Sequence, residues 1–188
     1  MISQRKTGRI HDLIKQKRIL LFTGNGKGKS TAAFGMLARA LGHGMRSRVI
    51  QFVKSDESVG EQKFFSHLNG VEWEQFGEGF LPKDPASPSM EQHRIAARKG
   101  LDAAIAALHS PDYDFVLLDE LCFALSQKLI PLDPLLDALS AAGEGKIVVM
   151  TGRNAPATLV AVADTVTEMT MIKHGYEQGI PAMKGVEN

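Results

Sequence analysis

Short apolar runs alternate along this chain with longer stretches in which apolar residues recur every three or four positions. Ile19-Leu20-Leu21-Phe22 is a run suited to a buried strand, and the Ala-, Leu- and Met-rich segment Ala32 to Leu41 that follows suits a helix. Gly42-His43-Gly44 stops that helix. Arg48 to Val53 reads as the next strand, Gln62 to Leu68 as a short helix broken by Gly70, and Val71 to Phe76 as a third strand. Gly77 to Ser89 carries two glycines and three prolines and excludes regular structure; long irregular loops are often functional. Ser89 with Gln92 forms a capping-box pattern ahead of an alanine-rich helix from Ile95 through Leu108, ended by Ser110-Pro111. Phe115 to Leu118 is a buried strand that runs into Asp119 and Glu120. Asp133 as N-cap with Pro134 at the first helical position predicts a helix to Leu139. Lys146 to Met150 is another buried strand, Leu159 to Ala163 a short helix, and Asp164 to Met171 a further strand, with a glycine-rich tail from Lys173 to Asn188. Strand and helix alternate throughout, which predicts an α/β fold: a mostly parallel sheet with helices on both faces.

Residues 1–18 break this pattern. They are basic and polar, with Arg5, Lys6, Arg9, Lys15, Lys17 and Arg18, while Ile10, Leu13 and Ile14 fall at helical spacing. A basic N-terminal arm over 1–18 and one P-loop α/β domain over 19–188 is the expected organisation. The arm is either solvated or folded over phosphates or a partner subunit. At 188 residues the chain suits one domain, able to bury about 70% of its unfolded surface without staples. A formal net charge of +1 argues against a large nucleic-acid footprint. The single cysteine, Cys122, excludes an internal disulfide and fits a reducing compartment. No apolar run is long enough to span a bilayer, and the first residues lack the apolar core of a signal peptide, so a cytoplasmic location is expected.

The chemistry gathers at Gly24-Asn25-Gly26-Lys27-Gly28-Lys29-Ser30-Thr31, between the first strand and the first helix. Strand, glycine-rich turn and a helix opening on Lys-Ser is the P-loop context. The first N–H groups of a helix have no partners within it, and the helix dipole is positive there, so the loop is an anion cradle. Gly24, Gly26 and Gly28 let the backbone curl without a Cβ in the way. Lys29 reaches the phosphates as a point charge, Ser30 offers a hydroxyl to Mg²⁺ (or Mn²⁺), and Lys27 adds a second positive charge. Thr23 stands where the strict pattern has glycine. Asp119 and Glu120 are expected at the loop's end of the sheet, where carboxylates hold Mg²⁺ directly or through water. Lys54 closes the second strand at the ligand-binding end of such sheets, and Arg153, in the Thr151-Gly152-Arg153-Asn154 turn, either meets phosphate or remains a surface arginine. The six histidines show no metal-ligand spacing, and Cys122 reads as packed core.

An ordered set of segments resembles the ATP:corrinoid adenosyltransferases of the CobA/BtuR/CobO type: the loop from Thr23 to Ala33, Ala40 to Gly44, Gln51 to Lys54, Gly77 to Phe80, Leu118 to Leu121, Thr151 to Arg153, Ala163 to Met169 and Lys173 to Gly175. The resemblance runs from about residue 19 to the end, and Thr23 is part of it. It implies a homodimeric, RecA-like P-loop enzyme that moves the 5′-deoxyadenosyl group of ATP onto the cobalt(I) of a reduced corrinoid, such as cobalamin or cobyrinic acid a,c-diamide, and releases triphosphate. It further implies a reduced flavoprotein as electron donor. By the same resemblance Asn25 through Thr31 bind triphosphate, Lys27 and Lys29 offset charge on the leaving group, Ser30 and Glu120 contact the metal with Asp119 beside them, and Phe80 crowds the lower face of the corrin. Relatives read Gly-Phe-Thr-Trp where this chain has Gly79-Phe80-Leu81-Pro82, so the tryptophan is absent. Phe80 is otherwise a core anchor for its loop. Two further readings share the P-loop: a small-molecule or nucleotide kinase, and an ATP-bound switch that escorts corrinoid without turnover.

Overall fold

The structure is a computed structural model, and it describes residues 16–53, 59–79, 81, 82, 84 and 87–187. Six strands form one sheet: β1 (Arg18–Thr23), β2 (Ser47–Phe52), β3 (Val71–Phe76), β4 (Phe115–Asp119), β5 (Ile147–Thr151) and β6 (Thr165–Glu168). Their order across the sheet is β3-β2-β4-β5-β1-β6, and every neighbouring pair is parallel. The helices are α1 (Lys29–Gly42), α2 (Gly60–Phe65), α3 (Met90–His109), α4 (Leu121–Ser126), α5 (Asp133–Ala141) and α6 (Ala157–Val162).

The period of two along each strand divides the core in two. Leu21, Ile50, Phe52, Val116, Leu118, Val148 and Met150 face α3, α4, α5 and Leu159 of α6. Val49, Phe115, Leu117 and Val149 face the other way, against Ala33, Phe34 and Leu37 of α1 and Phe65 of α2. Helices therefore cover both faces, as the alternation of elements predicts. Trp73 closes the second face by stacking on Phe34 at 5.2 Å between ring centroids.

Several expected boundaries move. Ser89 sits in the right-handed helical region rather than the extended one, and makes no capping bond to the helix. The Met90 N–H already donates to the Ser87 carbonyl at 2.9 Å, and the Ser89 hydroxyl is bound to that of Ser87 at 2.9 Å, so the capping box does not form. Asp133 is the first residue of α5 instead of its N-cap, because Leu132 before it is already helical. The second strand ends at Phe52, and Val53 turns to a φ of 68°. The last strand is limited to Thr165–Glu168, after which Met169 leaves the sheet to meet the P-loop. Of the basic arm, 1–15 lie outside the described residues. Arg18 already pairs with Ile147 in the sheet, and the Lys17 ammonium donates to the carbonyls of Leu139 and Ser140 at the end of α5.

Lys146 shows what a buried charge can do for such a fold. It is 5% exposed and donates to three carbonyls, Ala107 (3.3 Å), Ser110 (2.8 Å) and Tyr113 (2.6 Å), which ties the end of α3 and the following turn to the start of β5. Burial holds its pKa below the ordinary lysine value. Replacing it by methionine keeps the bulk and orphans those acceptors, so Lys146→Met is expected to lose about 2–3 kcal/mol of stability. Urea unfolding checks this; an unchanged midpoint would count against it.

Candidate functional site

The P-loop lies where β1 ends and α1 begins, with Gly28 as the N-cap of α1 in a left-handed conformation (φ 111°). Gly24 is likewise left-handed, at φ 92°. The loop does not stand alone. The Gly26 N–H donates to the Met169 carbonyl at 2.7 Å, and the Met169 N–H to the Thr23 carbonyl at 2.8 Å. A Cβ on Gly24 would lie 2.5 Å from the Met169 carbonyl oxygen, and one on Gly26 would lie 2.8 Å from the same atom. These two glycines thus admit the chain that follows β6, a requirement that room for phosphate alone does not express.

Lys29 is 7% exposed and its ammonium donates to the Gly26 carbonyl at 2.7 Å. Its pKa is pulled below the ordinary lysine value, first by burial and then by the Arg153 charge, while Glu120 and Asp119 act in the opposite direction. Three other charged residues singled out in the sequence, Arg153, Glu120 and Asp119, are thus near enough to act on the Lys29 charge. Lys27 points toward the chain's end, where its ammonium lies 3.4 Å from the Glu187 carboxylate in a solvent-exposed pair. Glu187 is held in its charged form chiefly by the Met183 N–H, with Lys27 assisting. Between loop and tail lies a cavity of about 810 Å³, lined by Asn25, Arg153, Met171, Tyr176, Ile180 and Met183 among others. That volume suits a small-molecule site.

The acidic pair is split by its environment. Asp119 is fully buried, and both its oxygens accept hydrogen bonds: Oδ1 from the Thr151 hydroxyl at 2.7 Å, Oδ2 from the Gln51 amide at 2.9 Å. Gln75 Nε2 donates in turn to Gln51 Oε1 at 2.8 Å. Glu120 follows the end of β4, half-buried and left-handed at φ 58°, with its N–H donating to the Thr151 hydroxyl at 2.9 Å. Two oxygen groups of the kind that suit Mg²⁺ belong to these elements, the Glu120 carboxylate after β4 and the Ser30 hydroxyl in the first turn of α1. Asp119 is less suited to direct contact, since its oxygens are engaged from inside the sheet. Among the described residues no cluster of three or more His, Cys, Asp and Glu side chains forms a closed metal cage.

Lys54 and Phe80 lie outside the described residues. Leu81, next to Phe80, packs partly buried against the first core. No role for Gln51, Gln75 or Glu187 follows from residue order alone. A polar Gln51 between Ile50 and Phe52, in a strand buried on both faces, was the available signal. Cys122 is fully buried, and its thiol is pushed up to about 12 by burial and by the Glu120 charge. At pH 8 it is expected to resist alkylation in the folded protein and to react on unfolding, which a mass-shift assay with iodoacetamide would read.

Comparison with known proteins places this chain in a family. The chain matches, over residues 15–188, the family described as ATP:corrinoid adenosyltransferase BtuR/CobO/CobP. A corrinoid adenosyltransferase of Pseudomonas aeruginosa is 41% identical over 192 residues, spanning 98% of this chain and 92% of the relative. One from Escherichia coli is 36% identical, covering 90% of this chain and 84% of the relative. A Sinorhizobium enzyme of the same description is 38% identical, covering 90% and 79%.

Proposed function

Because the chain belongs to the ATP:corrinoid adenosyltransferase family, we propose that it moves the 5′-deoxyadenosyl group of ATP onto the cobalt(I) of a reduced corrinoid and releases triphosphate. The cobalt lone pair forms the bond to the ribose 5′-carbon, and the carbon–oxygen bond breaks with its electron pair passing to triphosphate. The chain's residues then serve a leaving group rather than a transferred phosphoryl. Asn25 through Thr31 cradle the triphosphate with backbone N–H groups at the start of α1. Lys29 meets the departing oxygen's charge from inside the loop. Lys27 exchanges the Glu187 carboxylate for phosphate, and an exposed pair of that kind costs little to break. Arg153 reaches the same phosphates from the end of β5. Ser30 and Glu120 would hold Mg²⁺ (or Mn²⁺), which supplies additional neutralisation of the triphosphate. The cavity beside Asn25 and Arg153 offers room for the nucleoside. Phe80 would crowd the corrin's lower face, and Lys54 would act at the end of β2. A homodimer, a reduced flavoprotein donor and a cytoplasmic setting complete the reading. Among the described residues no helix is long and apolar enough to cross a membrane.

The observation that carries this reading is the loop of a chain of this family, with Lys29 nearly buried and bonded inside it, at the end of the sheet where β4 delivers Asp119 and Glu120. Phosphorus NMR of a reaction containing ATP, Mg²⁺ and chemically reduced cobalamin tests it. Triphosphate should appear in step with the alkylated corrinoid. ADP and phosphate as the only products would favour a kinase or NTPase instead.

A further inference from the structure

We infer that Thr151, backed by Gln51 and Gln75, is a positioning residue that fixes Glu120 relative to the P-loop and so couples Mg²⁺ binding to ATP binding. The inference rests on reading Glu120 as the metal contact. A threonine hydroxyl has one proton to donate and lone pairs to accept with. Here the proton goes to the Asp119 carboxylate, and a lone pair receives the N–H of Glu120. One oxygen thus ties the side chain of the first acid to the main chain of the second. It also restrains Glu120 in a left-handed conformation that residues other than glycine seldom adopt.

The place of Thr151 in the sheet gives the restraint its reach. β5 lies between β1, which leads into the loop, and β4, which ends in the acids. Thr151 is in register with Phe22, and the next N–H, that of Gly152, donates to the Phe22 carbonyl at 3.2 Å. The end of β5 is therefore bound on one side to the strand carrying the cradle and on the other to both acids. Gln51 and Gln75 complete the frame from β2 and β3: they are register partners, and each amide orients the next until the last donates to Asp119. Four strands thus set where the Glu120 main chain stands, and with it the base from which the carboxylate extends. Valine at 151 has nearly the shape of threonine and makes neither bond.

Calorimetric titration of ATP into the full chain without corrinoid, once in EDTA and once in Mg²⁺, tests this. Removing a partner that orients a metal ligand typically costs about 10–100-fold in metal affinity. Thr151→Val should bind ATP in EDTA as the unaltered chain does, and lose about tenfold or more of the gain that Mg²⁺ brings. Thr151→Ser keeps both bonds and should stay within about threefold of the unaltered chain. A Thr151→Val protein with an undiminished Mg²⁺ gain, or one weakened equally with and without Mg²⁺, would overturn the inference. Should Thr151→Val fail to fold, the half-buried Gln75→Met decides: a reduced Mg²⁺ gain supports the coupling and an unchanged one rejects it. Glu120→Gln separates the two levels. If it loses the Mg²⁺ gain while Thr151→Val keeps it, only the positioning role fails; if it keeps the gain, the metal contact itself is misassigned. Neither readout depends on which products the enzyme releases.

Discussion

Lys29→Ala should fold as the unaltered chain does and transfer the adenosyl group about 10²–10³-fold more slowly, the usual cost of removing one preorganised group from a site of developing charge. The reason lies in where that ammonium is held. It is nearly buried, bonded to the Gly26 carbonyl inside the loop, and already depressed in pKa by burial and by Arg153. A cation desolvated in this way has given up its water before the reaction begins. When triphosphate starts to leave, the charge is met without reorganisation. Lys29→Arg tests the point more finely: it keeps the charge but replaces a compact ammonium with a planar fork, and should recover only part of the rate. Circular dichroism reports the fold, and the cobalt–carbon product followed by its visible spectrum reports the rate. A folded Lys29→Ala protein with ordinary turnover would remove the leaving-group role.

Gly24→Ala should be damaged twice over. A Cβ there falls 2.5 Å from the Met169 carbonyl oxygen and 2.8 Å from its nitrogen, and both are main-chain atoms that cannot swing away. The φ of 92° is in addition one that alanine resists. Together these place the loss of stability at about 2–4 kcal/mol, within the range of the larger single-residue effects. For a chain of this size that is roughly 5–15 °C in melting temperature. ATP affinity should fall with it, because the clash displaces either the loop or the segment that follows β6. Gly35→Ala is the matching control. A Cβ on Gly35, inside α1, meets nothing within 4 Å, so the substitution should leave stability unchanged or raise it by about 0.5–1 kcal/mol. Equal melting temperatures for the two variants would contradict the close approach of Met169.

Much of this was legible from residue order. Runs such as Phe115 to Leu118 and Val148 to Met150 are apolar at every position because parallel strands are covered on both faces, and the structure buries them so. The P-loop was legible because its chemistry needs particular residue types at fixed local spacing, and a glycine-rich turn ahead of a helix is a local object. The capping box at Ser89 and the cap position of Asp133 are not legible in this way, for the converse reason. Cap geometry depends on where the backbone turns helical, and Ser89 and Leu132 already have helical angles, earlier than the side-chain pattern suggests.

The sequence by itself determined the alternation of strand and helix, the phosphate loop and the identity of the acids at the end of β4, because each is written within a dozen neighbouring residues. Only the tertiary structure decided that Asp119 is sealed and Glu120 half-buried, since the sealing depends on Gln51 and Thr151 arriving from strands 68 and 32 residues away in sequence from Asp119. It alone decided that Gly24 and Gly26 face Met169, brought beside the loop by β6 pairing with β1. Local pattern fixes which chemical groups a chain possesses; hydrogen bonds between distant strands fix which of them can reach a ligand.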